Sequence, residues 1–206
     1  MRNYLALLGW GTEDDTTLLS TAELVERFGI ERVGTSSAIF DERKLRWMNG
    51  RFMRELPLDE YTAAVASFTG LPEGERLRAA CEIAQEKAQT LAEVEPLIRS
   101  LFEEPVDDPK AREKVMKPEV RPLLEAALEA LRSSEDFSPD ALETTLRAVV
   151  EERGAKPKQV FQPLRVAITG STVSPGIFES LSVLGRDETI ARVERALERM
   201  PDDAQH

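Results

Sequence analysis

Residues 161–184 read FQPLRVAITGSTVSPGIFESLSVL. The apolar residues before Gly170 recur at helical spacing, and glycine commonly ends a helix. Ser174 followed by Pro175 predicts the start of a second helix, because serine accepts an orphan backbone N–H and proline fits the first helical position. We therefore predict a helix, a short polar turn and a second helix, with free backbone donors and Arg165 beside the turn, where a polar or anionic ligand could bind.

Five blocks of the sequence follow the pattern of a known family: NYLALLGW (3–10), FDERKLRWMNG (40–50), QPLRVAITG (162–170), SPGIFE (174–179) and LGRD (184–187). The last three resemble the C-terminal end of the bacterial glutamate–tRNA ligases, the class I glutamyl-tRNA synthetases. The second block resembles that family's tRNA stem-contacting region, and the first resembles the segment after its catalytic signature loop. The blocks stand in the family's order, whereas residues 57–150 match it only loosely.

The resemblance implies an all-α chain in three parts. These are a helical stem-contact region at residues 1–56 and two helical-bundle anticodon-binding subdomains at 57–108 and 109–206. It also implies a fragment of a longer, monomeric enzyme that attaches glutamate to tRNA with ATP and magnesium. The implied partners are tRNA(Glu), with tRNA(Gln) as a second candidate, and the N-terminal catalytic domain of the same protein. We expect this chain alone to need no cofactor and to be inactive.

In the family, the arginine of the Gln-Pro-Leu-Arg motif and the small residues around the final Pro-Gly lie against the anticodon. The resemblance assigns these roles to Arg165, Thr169, Ser174, Pro175, Gly176 and Ile177. The chemistry agrees, because guanidinium planes stack on unpaired bases and hydrogen-bond to them. The alternative is purely structural: Arg165 caps a helix, and Ser174-Pro175 forms a tight interhelical turn.

Lys87 departs from the family pattern. The family reads the third anticodon base through an arginine in a long helix before a Thr-Leu pair, and the register set by Thr90 and Leu91 places Lys87 there. Lysine keeps the charge but loses the planar fork that bidentate base recognition needs. Discrimination between glutamate and glutamine tRNAs is therefore open.

A helix predicted to begin after Asp41 has two different faces. One face carries apolar residues: Leu45, Met48, Phe52 and Leu56. The other is basic with an aromatic residue in its midst: Arg43, Lys44, Trp47, Arg51 and Arg54. We predict that the basic face contacts the tRNA stem backbone. The alternative is a solvated charged face with Trp47 packed under a neighbouring element.

The net charge of the 206 residues is −11, which is unusual for a protein that binds a polyanion. Two windows nevertheless hold nine basic residues and no acidic one, five between Arg43 and Arg54 and four between Arg153 and Arg165. An acidic body with local basic patches can bind nucleic acid there and repel it elsewhere. The rival functions are an acidic all-helical adaptor for protein partners, with no nucleic-acid role, and an independent enzyme.

Residue usage argues against the independent enzyme. The single cysteine, Cys81, is predicted to be a small buried residue on a helix, and the single histidine is the terminal His206. No zinc or acid–base set can be assembled from these residues, and neither a glycine-rich phosphate loop nor a class I synthetase signature is present. No long apolar run or signal-peptide pattern occurs, so we expect a soluble, cytoplasmic protein without membrane contact.

Periodicity and caps predict helices almost throughout. The predicted helices cover residues 2–8, 20–28, 42–56, 59–68, 73–91, 92–102, 118–132, 139–153, 157–169, 174–184 and 187–200. Ser20 with Glu23 is a capping box that begins the second of these helices. Residues 34–38 are predicted to be a loop, and residues 103–117 an exposed linker between helical subdomains.

Overall fold

The computed structural model describes residues 1–34 and 37–200, and these residues form twelve α-helices, three short 3-10 helices and no strand. The predicted all-α fold is confirmed. The chain divides into two compact units, one of Met1–Pro57 with Ala88–Thr90 and one of Leu58–Lys87 with Leu91–His206. The three-part division made from the sequence stays a prediction.

The first unit holds three α-helices. Their bounds are α1 Arg2–Ala6, α2 Thr21–Arg27 and α3 Glu42–Glu55, with a 3-10 helix at Ile30–Arg32. The predicted capping box of α2 is confirmed, because the Ser20 hydroxyl accepts from Glu23 N–H and the Glu23 carboxylate accepts from Ser20 N–H. The predicted N-cap of α3 is also confirmed, since the Asp41 carboxylate accepts from Lys44 N–H. Residues 35 and 36 of the predicted loop lie outside the described residues.

Five large apolar side chains of the first unit are buried, namely Tyr4, Trp10, Leu19, Met48 and Met53. Asn3 Oδ1 accepts from Leu19 N–H at 3.0 Å, and Tyr4 Oη accepts from Asp41 N–H at 2.5 Å. The second bond satisfies a backbone donor immediately before α3, so α1 determines where α3 begins.

The second unit is a nine-helix bundle in the described part of the chain. Its helices are α4 Leu58–Thr69, α5 Glu75–Gln85, α6 Leu91–Ile98, α7 Pro109–Val115, α8 Arg121–Ser133, α9 Pro139–Glu152, α10 Pro157–Thr169, α11 Ile177–Leu184 and α12 Arg186–Glu198. Two 3-10 helices, Arg99–Leu101 and Pro118–Val120, join them. α10 is the central helix, because it packs against α7, α8, α9, α11 and α12 and buries Val160, Leu164 and Ile168 completely. Cys81 is buried on α5, as predicted.

The predicted helix over residues 73–91 is too long, because α5 runs only over Glu75–Gln85 and residues 88–90 belong to the first unit. Asn49 Nδ2 donates to the Gln89 carbonyl at 2.6 Å. A Cβ built on Gly50 would lie only 3.1 Å from Gln89 Cγ, so glycine permits this close approach. These long-range contacts override the local helical pattern, and Lys87 therefore lies in a turn.

The predicted linker over residues 103–117 is also wrong. Residues 109–115 form α7, with Ala111 and the following Met116 buried in the core. Residues 103–108, called the strap below, cross the C-terminal end of α10, where Asp108 N–H donates to the Gly170 carbonyl at 3.1 Å. Gly170 ends α10 with a φ of 71°, and a Cβ there would collide with the Val106 carbonyl oxygen. The strap and the end of α10 are thus packed together.

Several helix starts also differ from the sequence expectation. α12 begins at Arg186 with Gly185 as its N-cap, so the predicted cap Asp187 lies in the first turn. Ser138 precedes α9 as predicted but makes no side-chain cap bond. The first predicted helix ends at Ala6 and continues only as turns towards Gly9.

Gly170→Ala tests the contact between the strap and α10. Gly154 is the matched control, because it also has a positive φ, 58°, but a Cβ there would meet nothing within 4 Å. We expect Gly154→Ala to lower the free energy of unfolding by about 1 kcal/mol, and Gly170→Ala by roughly 3 kcal/mol or more because Val106 must also move. Urea unfolding followed by circular dichroism measures both. Equal losses would contradict the close approach of the strap.

Candidate nucleic-acid interface

The turn between α10 and α11, residues 171–176, is built around Ser174. The predicted N-cap role of Ser174 and first-turn role of Pro175 are wrong, because α11 begins at Ile177 with Gly176 as its N-cap. The Ser174 hydroxyl lies 3.0 Å from the Pro175 carbonyl and 2.9 Å from Arg165 Nη1. It therefore donates to the carbonyl and accepts from the guanidinium, and it is not available to cap a helix.

Arg165 is held to this turn by one end of its side chain. Nη1 lies 3.1 Å from the Ser174 carbonyl, 2.9 Å from Ser174 Oγ and 3.1 Å from the Pro175 carbonyl. Nε is buried without a partner, and Nη2 has no hydrogen-bond acceptor within residues 1–34 and 37–200. Arg165 therefore does have the structural role that the sequence offered as the alternative, because it holds the turn. The N–H groups at Nη2 and Nε donate to no residue of the described chain.

The electrostatic setting of Arg165 favours an acceptor. Burial lowers the pKa of this guanidinium from its ordinary value, and the nearby Glu179 carboxylate partly opposes that shift. Because a half-buried cation has lost much of its hydration, an acceptor that meets it recovers part of that loss. Glu179 also folds over the start of α11, since a Cβ on Gly176 would collide with its carboxylate. The predicted free donors of α11 thus already face a carboxylate, and Arg165 is the stronger candidate ligand group.

Three of the remaining candidate residues are buried. Thr169 is buried, with Oγ1 2.8 Å from the Arg165 carbonyl and 3.3 Å from the Ser171 N–H that donates to it. Ile177 is buried in the core, and Pro175 is buried beneath the turn. The structure brings all six sequence-predicted residues into one local site, but Thr169 and Ile177 direct their side chains into the protein.

Arg192, which the sequence analysis missed, supports this site from α12. It is 4% exposed, and its guanidinium donates to the carbonyls of Ile168 in α10, Ser100, and Glu103 in the strap. Its Nε donates to Glu188 Oε1 at 2.7 Å. Only the four-residue spacing from Glu188 was visible in the sequence, and that spacing usually marks an exposed pair.

The basic face of α3 in the first unit is a second candidate surface. Arg43, Lys44 and Arg51 are exposed, and Arg54 is half-buried. Trp47 keeps 43% of its surface exposed, so its packing under a neighbouring element is not what the structure shows. Arg51 lies 3.6 Å from Glu55 in a weak exposed pair.

The apolar face of α3 is only partly as predicted. Met48 is buried and Leu45 and Phe52 are half-buried, but Leu56 is exposed. Met53 is buried instead, whereas Leu56 follows the last residue of α3, Glu55, and has an extended backbone.

Lys87 does not lie in a helix, although the sequence predicted one there. It is exposed in the turn after α5, and its ammonium makes no ion pair with any residue that the structure describes. Its assignment to the third anticodon base stays a prediction.

Within the described ranges, no group of three or more His, Cys, Asp or Glu side chains is placed to hold a metal ion. The same residues contain no helix that is both long and apolar enough to cross a bilayer.

Residues 55–197 match the family model described as the anticodon binding domain, so the chain belongs to that family. It is also 42% identical over 205 residues to a glutamate–tRNA ligase of Thermus thermophilus, and 38% identical over 214 residues to that of Symbiobacterium thermophilum. These alignments cover 96% and 97% of this chain but only 43% of each relative.

Solved structures agree at the level of the fold. The crystal structure of a glutamate tRNA ligase from Elizabethkingia meningosepticum, in complex with its amino acid, superposes with a TM-score of 0.87 at 23% identity. The superposition covers 97% of this chain and 41% of the ligase chain. The resemblance inferred from the sequence is confirmed: the chain corresponds to the C-terminal, anticodon-binding part of these ligases. The matches support tRNA recognition and not the protein-interaction adaptor.

Arg192→Met tests whether the buried guanidinium holds the end of α10. Arg195 is a suitable control on the same helix, because it is more exposed and, among the residues that the structure describes, pairs only with Glu104 and Glu188. We expect Arg192→Met to lower the free energy of unfolding by roughly 2–4 kcal/mol, since three carbonyls lose their donor, and Arg195→Met by about 1 kcal/mol or less. Chemical denaturation measures the free energy of unfolding of both variants. Equal losses would contradict the role of Arg192 in holding the end of α10.

Proposed function

We propose that this chain is the tRNA-recognition part of a glutamate–tRNA ligase and that its cognate ligand is tRNA(Glu). In the full-length protein, a catalytic domain would attach glutamate to that tRNA with ATP and magnesium. The observation that carries the proposal is the half-buried Arg165 guanidinium, fixed at Nη1 and unpaired at Nη2 within the described chain. The proposal extends beyond the matched region, because the chain spans 43% of its curated relatives.

Recognition of the anticodon is proposed to centre on Arg165 and the 171–176 turn. A guanidinium whose position is set by three protein acceptors can present Nη2 to a base edge without ordering a flexible side chain. The backbone of Thr169, Ser174, Pro175 and Gly176 would shape the pocket around that base, while Ile177 anchors the turn to the core. Discrimination then comes from the base edge and not from charge alone.

Recognition of the tRNA stem is proposed to use the basic face of α3. Arg43, Lys44 and Arg51 project exposed charge from one helix, with Trp47 and the half-buried Arg54 on the same face. Backbone phosphates of any tRNA suit such a surface, so it supplies affinity and orientation more than selectivity.

Three finer statements belong to the same proposal. Lys87 contacts the third anticodon base as a point charge, so tRNA(Gln) is a second substrate of the parent ligase. The parent acts as a monomer. ATP and magnesium would be bound by the catalytic domain of the full-length protein.

Filter binding with tRNA(Glu) and with bulk tRNA, at two salt concentrations, tests the proposed function. The proposal predicts tighter binding of tRNA(Glu) at both concentrations and weaker binding of both ligands at higher salt, because phosphate contacts release counterions. No binding of tRNA(Glu), or identical binding of both ligands, would refute it. An adaptor for proteins would give the first of these results.

Arg51→Glu tests the basic face of α3. Arg147→Glu is the matched control, because Arg147 is likewise an exposed arginine in a four-residue ion pair, with Glu143 on α9. We expect Arg51→Glu to weaken binding of all tRNAs by a similar factor and to reduce the steepness of the salt dependence by roughly one unit, since one phosphate contact is lost. Arg147→Glu should leave both quantities near those of the unaltered chain. Loss of binding to a single tRNA, or equal effects of the two variants, would contradict a backbone-contacting role.

A further inference from the structure

The lysines of this chain are unevenly distributed. Of the seven lysines in the sequence, five lie on α7, just after it, or at the start of α10. These five are Lys110, Lys114, Lys117, Lys156 and Lys158, and all are exposed. None of them forms an ion pair within the part of the chain that the structure describes, whereas the neighbouring Arg112 pairs with Asp107. An acidic chain thus concentrates unpaired cations on two elements that pack together.

Two of these lysines border a groove of about 470 Å³ between α7, α10 and the 171–176 turn. Val115 and Val120 form part of its apolar floor, Lys114 and Lys158 are the cations of its rim, and Gln162 adds an amide. At one end the groove reaches Thr172, within the turn that Arg165 holds. No aspartate or glutamate lines it. We call this surface the lysine groove.

We propose that the lysine groove binds the sugar–phosphate backbone of single-stranded RNA, at the nucleotides next to the base that Arg165 contacts. This inference rests on the proposed function and adds to it a second contact on the same loop of the tRNA. Each lysine ammonium is a compact point charge that suits a phosphate oxygen from several directions. A bound strand would then run from the lysine groove into the 171–176 turn.

The other lining groups favour RNA over an acidic peptide. The Gln162 amide and the Thr172 hydroxyl can each donate to a phosphate oxygen, and each can donate to or accept from a ribose 2′-hydroxyl. The apolar floor at Val115 and Val120 can cover the less polar face of a ribose. Because the lysine groove adjoins the Arg165 turn, one RNA strand can occupy both at once. An acidic peptide has no base to place beside Arg165.

Two double variants with equal charge change separate the lysine groove from general attraction. The test variant combines Lys114→Gln with Lys158→Gln. The control combines Lys110→Gln with Lys156→Gln, which removes exposed lysines from α7 and the N-cap of α10 that do not line the groove. The Lys156 bond to Gln159 is made by the backbone N–H, so the substitution preserves it. Thermal melts should show that both variants fold like the unaltered chain.

Binding of a tRNA(Glu) transcript is then measured as a function of salt. We expect the test variant to bind about 25-fold more weakly at ~0.1 M salt, with a log–log salt slope less steep by ~1.4, because two phosphate contacts to a single strand are lost. The control should stay within about threefold of the unaltered chain, since screened surface charge contributes little. Equal effects of the two variants, or no effect of either, would overturn the lysine groove while leaving the proposed function standing. Failure of the unaltered chain to bind tRNA(Glu) would overturn both.

Acetylation footprinting gives a second readout that needs no variant. Saturating tRNA(Glu) should protect Lys114 and Lys158 from acetylation and leave Lys110 and Lys156 reactive. Uniform protection of all four lysines would contradict a specific groove. Equal protection of Lys114 and Lys158 by poly-glutamate and by tRNA(Glu) would indicate a site for an acidic protein segment, and would overturn the assignment to RNA.

Discussion

A single buried guanidinium, that of Arg192, joins three parts of the second unit. It supplies donors to the carbonyls of Ile168, Ser100 and Glu103, which belong to the end of α10, a 3-10 helix and the strap. Because the ends of helices leave carbonyls without partners, one side chain that satisfies several of them at once determines how these segments meet. Gly170 completes the junction by letting the strap cross where any side chain would collide. The position of the turn that follows is therefore set by buried, non-local bonds.

This junction fixes the turn on which the proposed role of Arg165 in anticodon recognition depends. A flexible surface arginine would have to be ordered by the RNA, at a cost in side-chain entropy. Here the turn already holds Nη1, and burial has removed much of the water that would compete for the remaining donors. The acidic character of the rest of the chain complements this design, since negative surface disfavours other poses of a polyanion. In the proposed function, base recognition at the turn and phosphate contact on exposed cations are then separate tasks.

Local signals in the sequence were sufficient for most of the fold. The capping box at Ser20 and the helix-ending Gly170 each depend on residues only a few positions away, and the structure has both. Two of the failed predictions share one cause, which is competition from partners outside the local helical pattern. Asn49 binds the backbone at Gln89 and so ends the helix that local pattern extends, and Arg165 takes the Ser174 hydroxyl that would otherwise cap α11. The family resemblance located the candidate residues, but only the geometry shows which donors of the site are already used.

The most direct test compares how tightly the chain binds tRNA(Glu) and the same tRNA with its anticodon replaced. The variants are Arg165→Lys, which keeps the charge but loses the planar fork, and Arg147→Lys as an exposed control. The account predicts that Arg165→Lys removes roughly 1–3 kcal/mol of the preference for the native anticodon, while Arg147→Lys leaves that preference intact. Binding to the altered tRNA should change little in either variant. If Arg165→Lys keeps the full preference, or weakens both tRNAs equally, Arg165 does not read the anticodon and the central claim is wrong.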